Sequence, residues 1–186
     1  MKILLIVVFV LLSLFLFSCV TDSKKAAENS DIREKKPTSA LATKLYTNFH
    51  KDPQTQAQKD ENDLIDYAVD KGLDVKRTDS GMYYILHKEG TGTVALDKQP
   101  FKAHYTGYFL DGKIFDTSRN TGRPIMHTVG GMIPGWNEAL KTFKVGSKVQ
   151  LLIPSHLAYG PRGFPGLIPP NTPLVFDMEI LPLQEN

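Results

Sequence analysis

The chain has 186 residues, of which 41% are hydrophobic and 23% are charged, and its net charge is +2. At roughly 100–200 residues per domain, this length accommodates one domain with additional segments, and the composition argues against disorder of the whole chain. The small net charge gives no broad basic surface, which argues against nucleic acid as a partner. The single cysteine, Cys19, excludes an internal disulfide and a cysteine-rich metal site.

The N-terminal residues have the pattern of a secretory signal. Residues 3–17 are apolar apart from Ser13, and Lys2 precedes them. Fifteen residues of helix rise about 22 Å, which is short of the ~30 Å hydrocarbon core of a bilayer. We therefore predict a signal peptide over residues 1–18. The alternative is an uncleaved N-terminal membrane anchor with an incidental cysteine.

The signal ends in Leu16-Phe17-Ser18-Cys19, which resembles the lipobox of bacterial lipoproteins. In that family a peptidase cleaves before the cysteine, which then carries the lipid. The resemblance implies lipidation of Cys19 and attachment to a membrane of the bacterial cell envelope, facing the periplasm or the surface. Several acyl chains, at ~0.8 kcal/mol per buried methylene, hold a protein firmly to a bilayer.

Two segments precede the main domain. Residues 19–40 are polar and alternate in charge, which predicts a flexible tether from the lipidated cysteine. Residues 41–73 contain two amphipathic helical patterns separated by Pro53 and predict a helical N-terminal extension. We expect Asp60 to cap the second helix and Gly72 to follow its C-terminus.

These predicted helices are too short to be stable in isolation. Their apolar stripes must therefore pack on the following domain or on a second copy of the chain. The second possibility predicts a homodimer formed through residues 41–73.

Residues 78–186 are expected to form one further domain. Twelve of the 14 glycines and 10 of the 12 prolines lie between Gly90 and Pro182, and several segments between them alternate apolar and polar residues as strands do. A single short helix is predicted over residues 136–143. The pattern predicts an α+β fold, with a curved antiparallel β-sheet wrapped around one short α-helix.

The familiar catalytic constellations are missing from this sequence. No two histidines have the i, i+4 spacing of a zinc site, and no nucleophile elbow or phosphate-binding loop occurs. Asp111 and Asp116 are neighbours in sequence, but Asp111-Gly112 is typical of a hairpin turn. We therefore expect no metal and no cofactor.

Aromatic residues on glycine- and proline-punctuated segments are the most informative feature. Taken singly, each is explained as core. Residues 158–170, however, should run over the surface because five glycines and prolines precede Pro169. The same loop contains four large apolar side chains: Tyr159, Phe164, Leu167 and Ile168. Apolar side chains on a stiff surface loop favour the lip of a hydrophobic pocket.

Four segments together resemble the FKBP-type peptidyl-prolyl cis–trans isomerases. They are HYTGYFLDGKIFDTS (104–118), GGMIPGWNEAL (130–140), VGSKVQLLIPSHLAYG (145–160) and IPPNTPLVFDMEIL (168–181). The match runs from about Gly81 to Leu183 in the family's order. Residues 78–92 are also similar to bacterial members that carry a helical extension before the isomerase domain.

The resemblance implies catalytic roles for Asp116, Trp136, Tyr159 and Phe176. Substrate binding is implied for seven further residues: Tyr105, Phe115, Ile125, Met132, Ile133, Phe164 and Ile168. Trp136 would form the floor under a proline ring, with Asp116 as the pocket carboxylate. The Tyr159 hydroxyl and the Ile133 backbone N–H would donate hydrogen bonds to the substrate. Phe164 and Ile168 would form a flap over the top.

The implied activity is isomerisation of X–Pro bonds during the folding of exported proteins. The implied partners are proline-containing polypeptides of the cell envelope, with macrolides of the rapamycin type as inhibitors. One alternative is a module that binds proline-containing segments, or a chaperone with little isomerase activity, and another is a structural envelope lipoprotein. Because residues 41–72 supply no pocket residue, we expect them to be dispensable for turnover of short peptides.

Overall fold

The computed structural model describes residues 39–183, which belong to one compact unit. The predicted signal peptide, Cys19 and nearly all of the tether lie outside the described residues. Within the described range no helix is both long enough and apolar enough to cross a membrane. The same range contains no group of three or more His, Cys, Asp or Glu side chains placed to hold a metal ion.

Two helices open the described chain. Helix α1 (Ala40–Leu45) begins where the Ser39 side chain accepts a hydrogen bond from the Ala42 N–H, and a 3₁₀ turn (Tyr46–Asn48) follows it. Helix α2 (Gln56–Asp70) begins at a capping box, in which the side chains of Thr55 and Gln58 each accept from the other's backbone N–H.

The prediction that Asp60 caps α2 is wrong. The capping box starts the helix four residues before Asp60, which places Asp60 inside the second turn, where it is fully buried. The prediction for Gly72 is confirmed, since it has φ +64° and donates to Val69 while the Leu73 N–H donates to Ala68. This pair of bonds is the Schellman arrangement, which satisfies carbonyls at a helix C-terminus.

The rest of the described chain forms seven strands and one further α-helix. The strands are β1 (Lys76–Arg77), β2 (Tyr83–Lys88), β3 (Pro100–Tyr108), β4 (Ile114–Thr117), β5 (Ile125–Thr128), β6 (Lys148–Ile153) and β7 (Leu174–Leu181). Helix α3 (Pro134–Thr142) lies between β5 and β6, and two 3₁₀ turns (Ser155–Leu157 and Gly160–Arg162) lie between β6 and β7. All the pairings are antiparallel, in the order β1-β2-β6-β7-β3-β4, and β5 also pairs with β3.

Strand β3 is paired along both of its edges. One edge pairs with β7 from Lys102 to Tyr108, while the other edge pairs first with β5 and then with β4. The β3–β4 connection is the hairpin predicted at Asp111-Gly112, with Gly112 at φ +88° and the Phe109 N–H donating to the Lys113 carbonyl. Strand β3 therefore joins β4, β5 and β7 into one part of the sheet.

Side chains alternate between two cores on opposite faces of the sheet. On one face, α3 packs its buried Trp136, Ala139 and Leu140 against strand residues. On the other face, α1 and α2 pack Leu45, Leu64, Ile65 and Ala68 against a second set of sheet residues: Tyr83, Leu152 and Val175. This confirms the predicted α+β fold and shows that the chain's own sheet covers the apolar stripes of the helical extension.

Candidate functional site

The floor of the site is the indole ring of Trp136 in the first turn of α3. Pro134 occupies a first-turn position of this helix, where its missing N–H costs nothing. Gly135 lets the helix approach β6, since a Cβ there would lie 2.8 Å from Ile153. Trp136 is 2% exposed, and its indole N–H donates to no group among the described residues. The floor is therefore an apolar surface held by packing.

Three aromatic rings from β3, β4 and β7 surround that floor. The ring centroids of Tyr105 and Phe176 lie 5.0 and 5.3 Å from that of Trp136, at interplanar angles of 80° and 83°. The Phe115 ring lies 5.6 Å from Phe176 and nearly perpendicular to it. Edge-to-face packing of this kind stabilises aromatic clusters beyond the area they bury.

Gly107 makes this arrangement of rings possible. A Cβ at Gly107 would lie 2.6 Å from Phe115 and 2.8 Å from Phe176, closer than real Cβ contacts. The close approach of both rings to the β3 backbone therefore depends on the absence of a side chain.

Asp116 lies on β4 at the rim, and its side chain is exposed. Its Oδ2 accepts a hydrogen bond from the Tyr105 hydroxyl at 2.5 Å. Burial of the ring, together with the bond to Asp116 and its negative charge, raises the pKa of Tyr105 far above its ordinary value. Tyr105 therefore remains a neutral donor that holds the carboxylate at the pocket.

The corner before α3 presents a free backbone donor. The Asn137 side chain donates to the Met132 carbonyl at 2.7 Å and accepts from the Gly130 N–H at 2.8 Å, which braces the turn. Within residues 39–183, the N–H of Ile133 makes no hydrogen bond. Met132 and Ile133 both pack partly buried against the core around Trp136.

The opposite rim is the segment from Ala158 to Ile168. The Tyr159 ring packs against the same core and lies 5.7 Å from Phe164. Burial and the charge of Asp116 raise the pKa of Tyr159. The Tyr159 hydroxyl makes no hydrogen bond to any described residue, so a neutral hydroxyl donor is available there.

The flap differs in part from the expectation. Phe164 and Leu167 are 50% and 43% exposed, as expected for a surface lip, but Ile168 is only 4% exposed and belongs to the core. The reason is local, because Phe164 and Ile168 form an antiparallel bridge in which each N–H donates to the other's carbonyl. The bridge closes the loop and directs Ile168 inward.

The structure brings the implied site residues together. Ile125, on β5 opposite Ala103, is partly buried against the same core as Trp136. Two contributors were not singled out from the sequence, namely Phe101, 6.4 Å from Trp136, and Phe109, 5.2 Å from Phe115. Phe101 lies on β3 and Phe109 directly follows that strand, and neither carries a sequence signal that distinguishes it from a core residue.

The described residues define a small α+β domain with an aromatic pocket and, among themselves, leave two hydrogen-bond donors at its rim unused. Comparison with known proteins identifies the family to which this domain belongs. The family model described as FKBP-type peptidyl-prolyl cis–trans isomerase matches residues 92–181. A protein named FKBP-type peptidyl-prolyl cis–trans isomerase FkpA, from Escherichia coli K12, is 44% identical over 115 residues, which are 62% of this chain and 42% of that protein.

Solved structures extend the similarity to the fold. A peptidyl-prolyl cis–trans isomerase from Pseudomonas syringae pv. tomato DC3000 is 31% identical, with a TM-score of 0.60 over 73% of this chain and all of that one. The structure of FkpA from Escherichia coli is 34% identical, with a TM-score of 0.61 over 88% of this chain and 73% of that chain. The chain belongs to the FKBP-type peptidyl-prolyl cis–trans isomerase family. It spans about half the length of the curated relatives it matches.

Proposed function

We propose that the protein is a peptidyl-prolyl cis–trans isomerase that accelerates X–Pro isomerisation during the folding of exported proteins. The observation that carries the proposal is the buried Trp136 ring, enclosed by Tyr105 and Phe176, with two unpartnered donors at the rim. Such a pocket fits an apolar ring flanked by carbonyl groups, which describes a prolyl residue in a peptide.

Catalysis in this pocket needs no proton transfer. An X–Pro amide crosses a barrier of ~18–20 kcal/mol set by its resonance, and its twisted transition state is less dipolar than either planar form. A dry aromatic site favours that state relative to water. Lowering the barrier by ~4 kcal/mol would give roughly a thousandfold acceleration.

The two rim donors have the task of orientation. The Tyr159 hydroxyl and the Ile133 N–H would hold the carbonyls on either side of the proline while the ring rests on Trp136. Asp116 is assigned an electrostatic and orienting role, because its carboxylate is tied to Tyr105. None of these groups has to gain or lose a proton during turnover.

The test is an isomerisation assay on a short X–Pro peptide with the full chain in a mild detergent. We expect acceleration by the wild type and a strong loss in Trp136→Phe, whose smaller ring leaves part of the floor empty. Leu86→Ala, on β2, which β6 and β7 separate from β3, is the matched control and should retain activity. Absence of acceleration by the folded wild type would contradict the proposal.

The exposed flap favours a second candidate function. Phe164 and Leu167 present large apolar side chains beside the pocket, which suits binding of unfolded, proline-containing segments with little turnover. Suppression of aggregation by an isomerase-inactive variant, lost on Phe164→Ser, would support this candidate. A rapamycin-type macrolide is expected to compete for the same pocket.

We also propose that the protein is a lipoprotein of the cell envelope attached through Cys19. The support is the apolar run over residues 3–17 and the sequence Leu16-Phe17-Ser18-Cys19 in which it ends. In its host, Cys19→Ala should leave the membrane fraction or accumulate as precursor, and unchanged processing would contradict the proposal. Homodimerisation through residues 41–73 stays a prediction, to be tested by sedimentation.

A further inference from the structure

Asp60 is a buried carboxylate that neither caps its helix nor lines the aromatic pocket. It is fully buried, with Oδ1 accepting from the Gln56 side-chain amide at 2.7 Å and Oδ2 accepting from the Ser155 N–H at 2.7 Å. A buried carboxylate is costly unless hydrogen bonds compensate it. This one joins α2 to a residue 95 positions later in the chain.

Ser155 begins the segment that carries Tyr159. Strand β6 ends at Ile153, and the 3₁₀ turn Ser155–Leu157 is closed by the Leu157 N–H donating to Pro154 and the Ala158 N–H donating to Ser155. The first N–H of such a turn has no acceptor within the turn. Asp60 supplies that acceptor and fixes the start of the turn, four residues before Tyr159.

The other side of Tyr159 is fixed by backbone alone. The carbonyl of Gly160 accepts from the Asn171 N–H at 2.9 Å, which ties the loop to the chain leading into β7. The Tyr159 hydroxyl has no partner among the described residues, so its place depends on how the backbone is held. Asp60 and Asn171 therefore bracket the residue whose hydroxyl should meet the substrate.

We propose that Asp60 is a positioning residue for isomerisation, which holds the Tyr159 hydroxyl at the pocket through the Ser155 N–H. The inference rests on the proposed function and adds α2 to the scaffold of the site. It predicts that α2 contributes to the turnover of short peptides, in contrast to the expectation from the sequence that residues 41–72 are dispensable for that turnover.

The first test compares variants of the full chain on an X–Pro peptide. Because Asp60 acts on the turn through one hydrogen bond, to the Ser155 N–H, Asp60→Ala should lower kcat/KM by about three- to tenfold. Asp60→Asn keeps an oxygen for Ser155 and should restore activity to within about twofold of wild type. Ile65→Ala weakens packing of the same helix on the sheet without touching the turn, and should retain kcat/KM when folded.

A double-mutant cycle with Tyr159→Phe separates positioning from loss of stability. In the Tyr159→Phe background, Asp60→Ala should change kcat/KM by less than about twofold, because the hydroxyl it positions is gone. An equal loss in both backgrounds would overturn the inference, as would unchanged kcat/KM in Asp60→Ala. If Asp60→Ala does not fold, Asp60→Ser, which can bond to its own helix backbone, takes its place in the cycle.

Amide hydrogen exchange gives a readout that needs no turnover. Asp60→Ala should speed exchange at Leu157 and Ala158 by about tenfold or more while β3 amides keep wild-type protection. Unchanged exchange at the turn would overturn the inference. An inactive wild type with this exchange pattern would instead contradict the proposed function and leave the anchoring of the loop supported.

Discussion

The hydroxyl of Tyr105 donates to Oδ2 of Asp116 across the β3–β4 hairpin, and this bond places the negative charge of an exposed carboxylate at the mouth of an aromatic pocket. Neither residue explains the arrangement alone. Tyr105 is held by Trp136 and Phe176 on its ring side, and Asp116 is held by Tyr105. The side chain of Tyr105 therefore connects the buried core, through its ring, to the exposed rim of the site, through its hydroxyl.

Tyr105→Phe should release Asp116 while leaving the ring packing intact. The loss of one hydrogen bond predicts a fall in kcat/KM of about two- to tenfold, with little change in stability because the freed carboxylate is exposed to water. The measurement is peptide isomerisation together with Tm. Tyr108→Phe on the opposite face of β3, where the hydroxyl bonds Gln150, should lower Tm and retain kcat/KM. A Tyr105→Phe variant that retains kcat/KM, or a Tyr108→Phe variant that loses it, would contradict the role given to Tyr105.

Gly107→Ala should damage the pocket by overpacking. The new Cβ would lie within 3 Å of both Phe115 and Phe176, so the rings must move. We expect a stability loss of about 1–3 kcal/mol and a fall in kcat/KM of more than about tenfold. Gly112→Ala is the matched control, since its φ of +88° strains an alanine while no atom lies near its Cβ. The control should lose stability only, and equal kcat/KM values for the two folded variants would refute this account.

Glu61→Gln should weaken the junction between α2 and the sheet in a pH-dependent way. Glu61 accepts from Arg77 Nε at 2.7 Å and from the Tyr83 hydroxyl at 2.9 Å, and His50 lies 3.1 Å away. Burial raises the pKa of Glu61, but these hydrogen bonds and the Arg77 charge outweigh it and hold the pKa below its usual 4.5. The ionised form therefore stabilises the fold above about pH 4.5, and that stability is lost as the pH falls through the lowered pKa.

The measurement is Tm against pH for wild type and Glu61→Gln. The variant should be less stable at pH 7, and the difference should narrow below pH 4.5. Glu89→Gln is the control, because Glu89 forms an exposed ion pair with Lys144 that water screens, and its Tm should follow wild type throughout. A Tm difference for Glu61→Gln that does not vary with pH would show that ionisation of Glu61 is not involved.

The sequence predicts the parts of this structure that depend on local patterns. Alternation identifies β3, β6 and β7, and Gly72 marks the end of α2 because only a left-handed residue closes a Schellman turn readily. Both residues of β1 and three of the four residues of β5 are exposed. Because these strands do not bury every second side chain, their sequences lack the apolar alternation that predicts a strand.

Contacts between distant segments account for what the sequence does not predict. Asp60 stands just before an apolar stripe and has the pattern of a cap, yet Thr55 and Gln58 form the cap and Asp60 reaches Ser155 instead. Ile168 is buried because of its bridge to Phe164, which a glycine- and proline-rich loop does not indicate. Family resemblance predicts which aromatic residues form the site. It does not predict their nearly perpendicular packing, because the rings come from segments that are distant in sequence.

The pH profile of turnover is the sharpest test of a mechanism without proton transfer. The pKa values of Tyr105 and Tyr159 are both raised above the ordinary value of 10, mainly by burial, so both hydroxyls stay protonated in the working range. We therefore expect kcat/KM to vary little between about pH 6 and 8.

Histidine is the residue type that ordinarily titrates in this pH range. His104 contacts Ser118 at 3.0 Å, and Ser118 accepts from the Tyr105 N–H, so a folded His104→Gln variant is the control. A bell-shaped profile centred near pH 7 in wild type, absent from that variant, would establish acid–base assistance and overturn the proton-free mechanism.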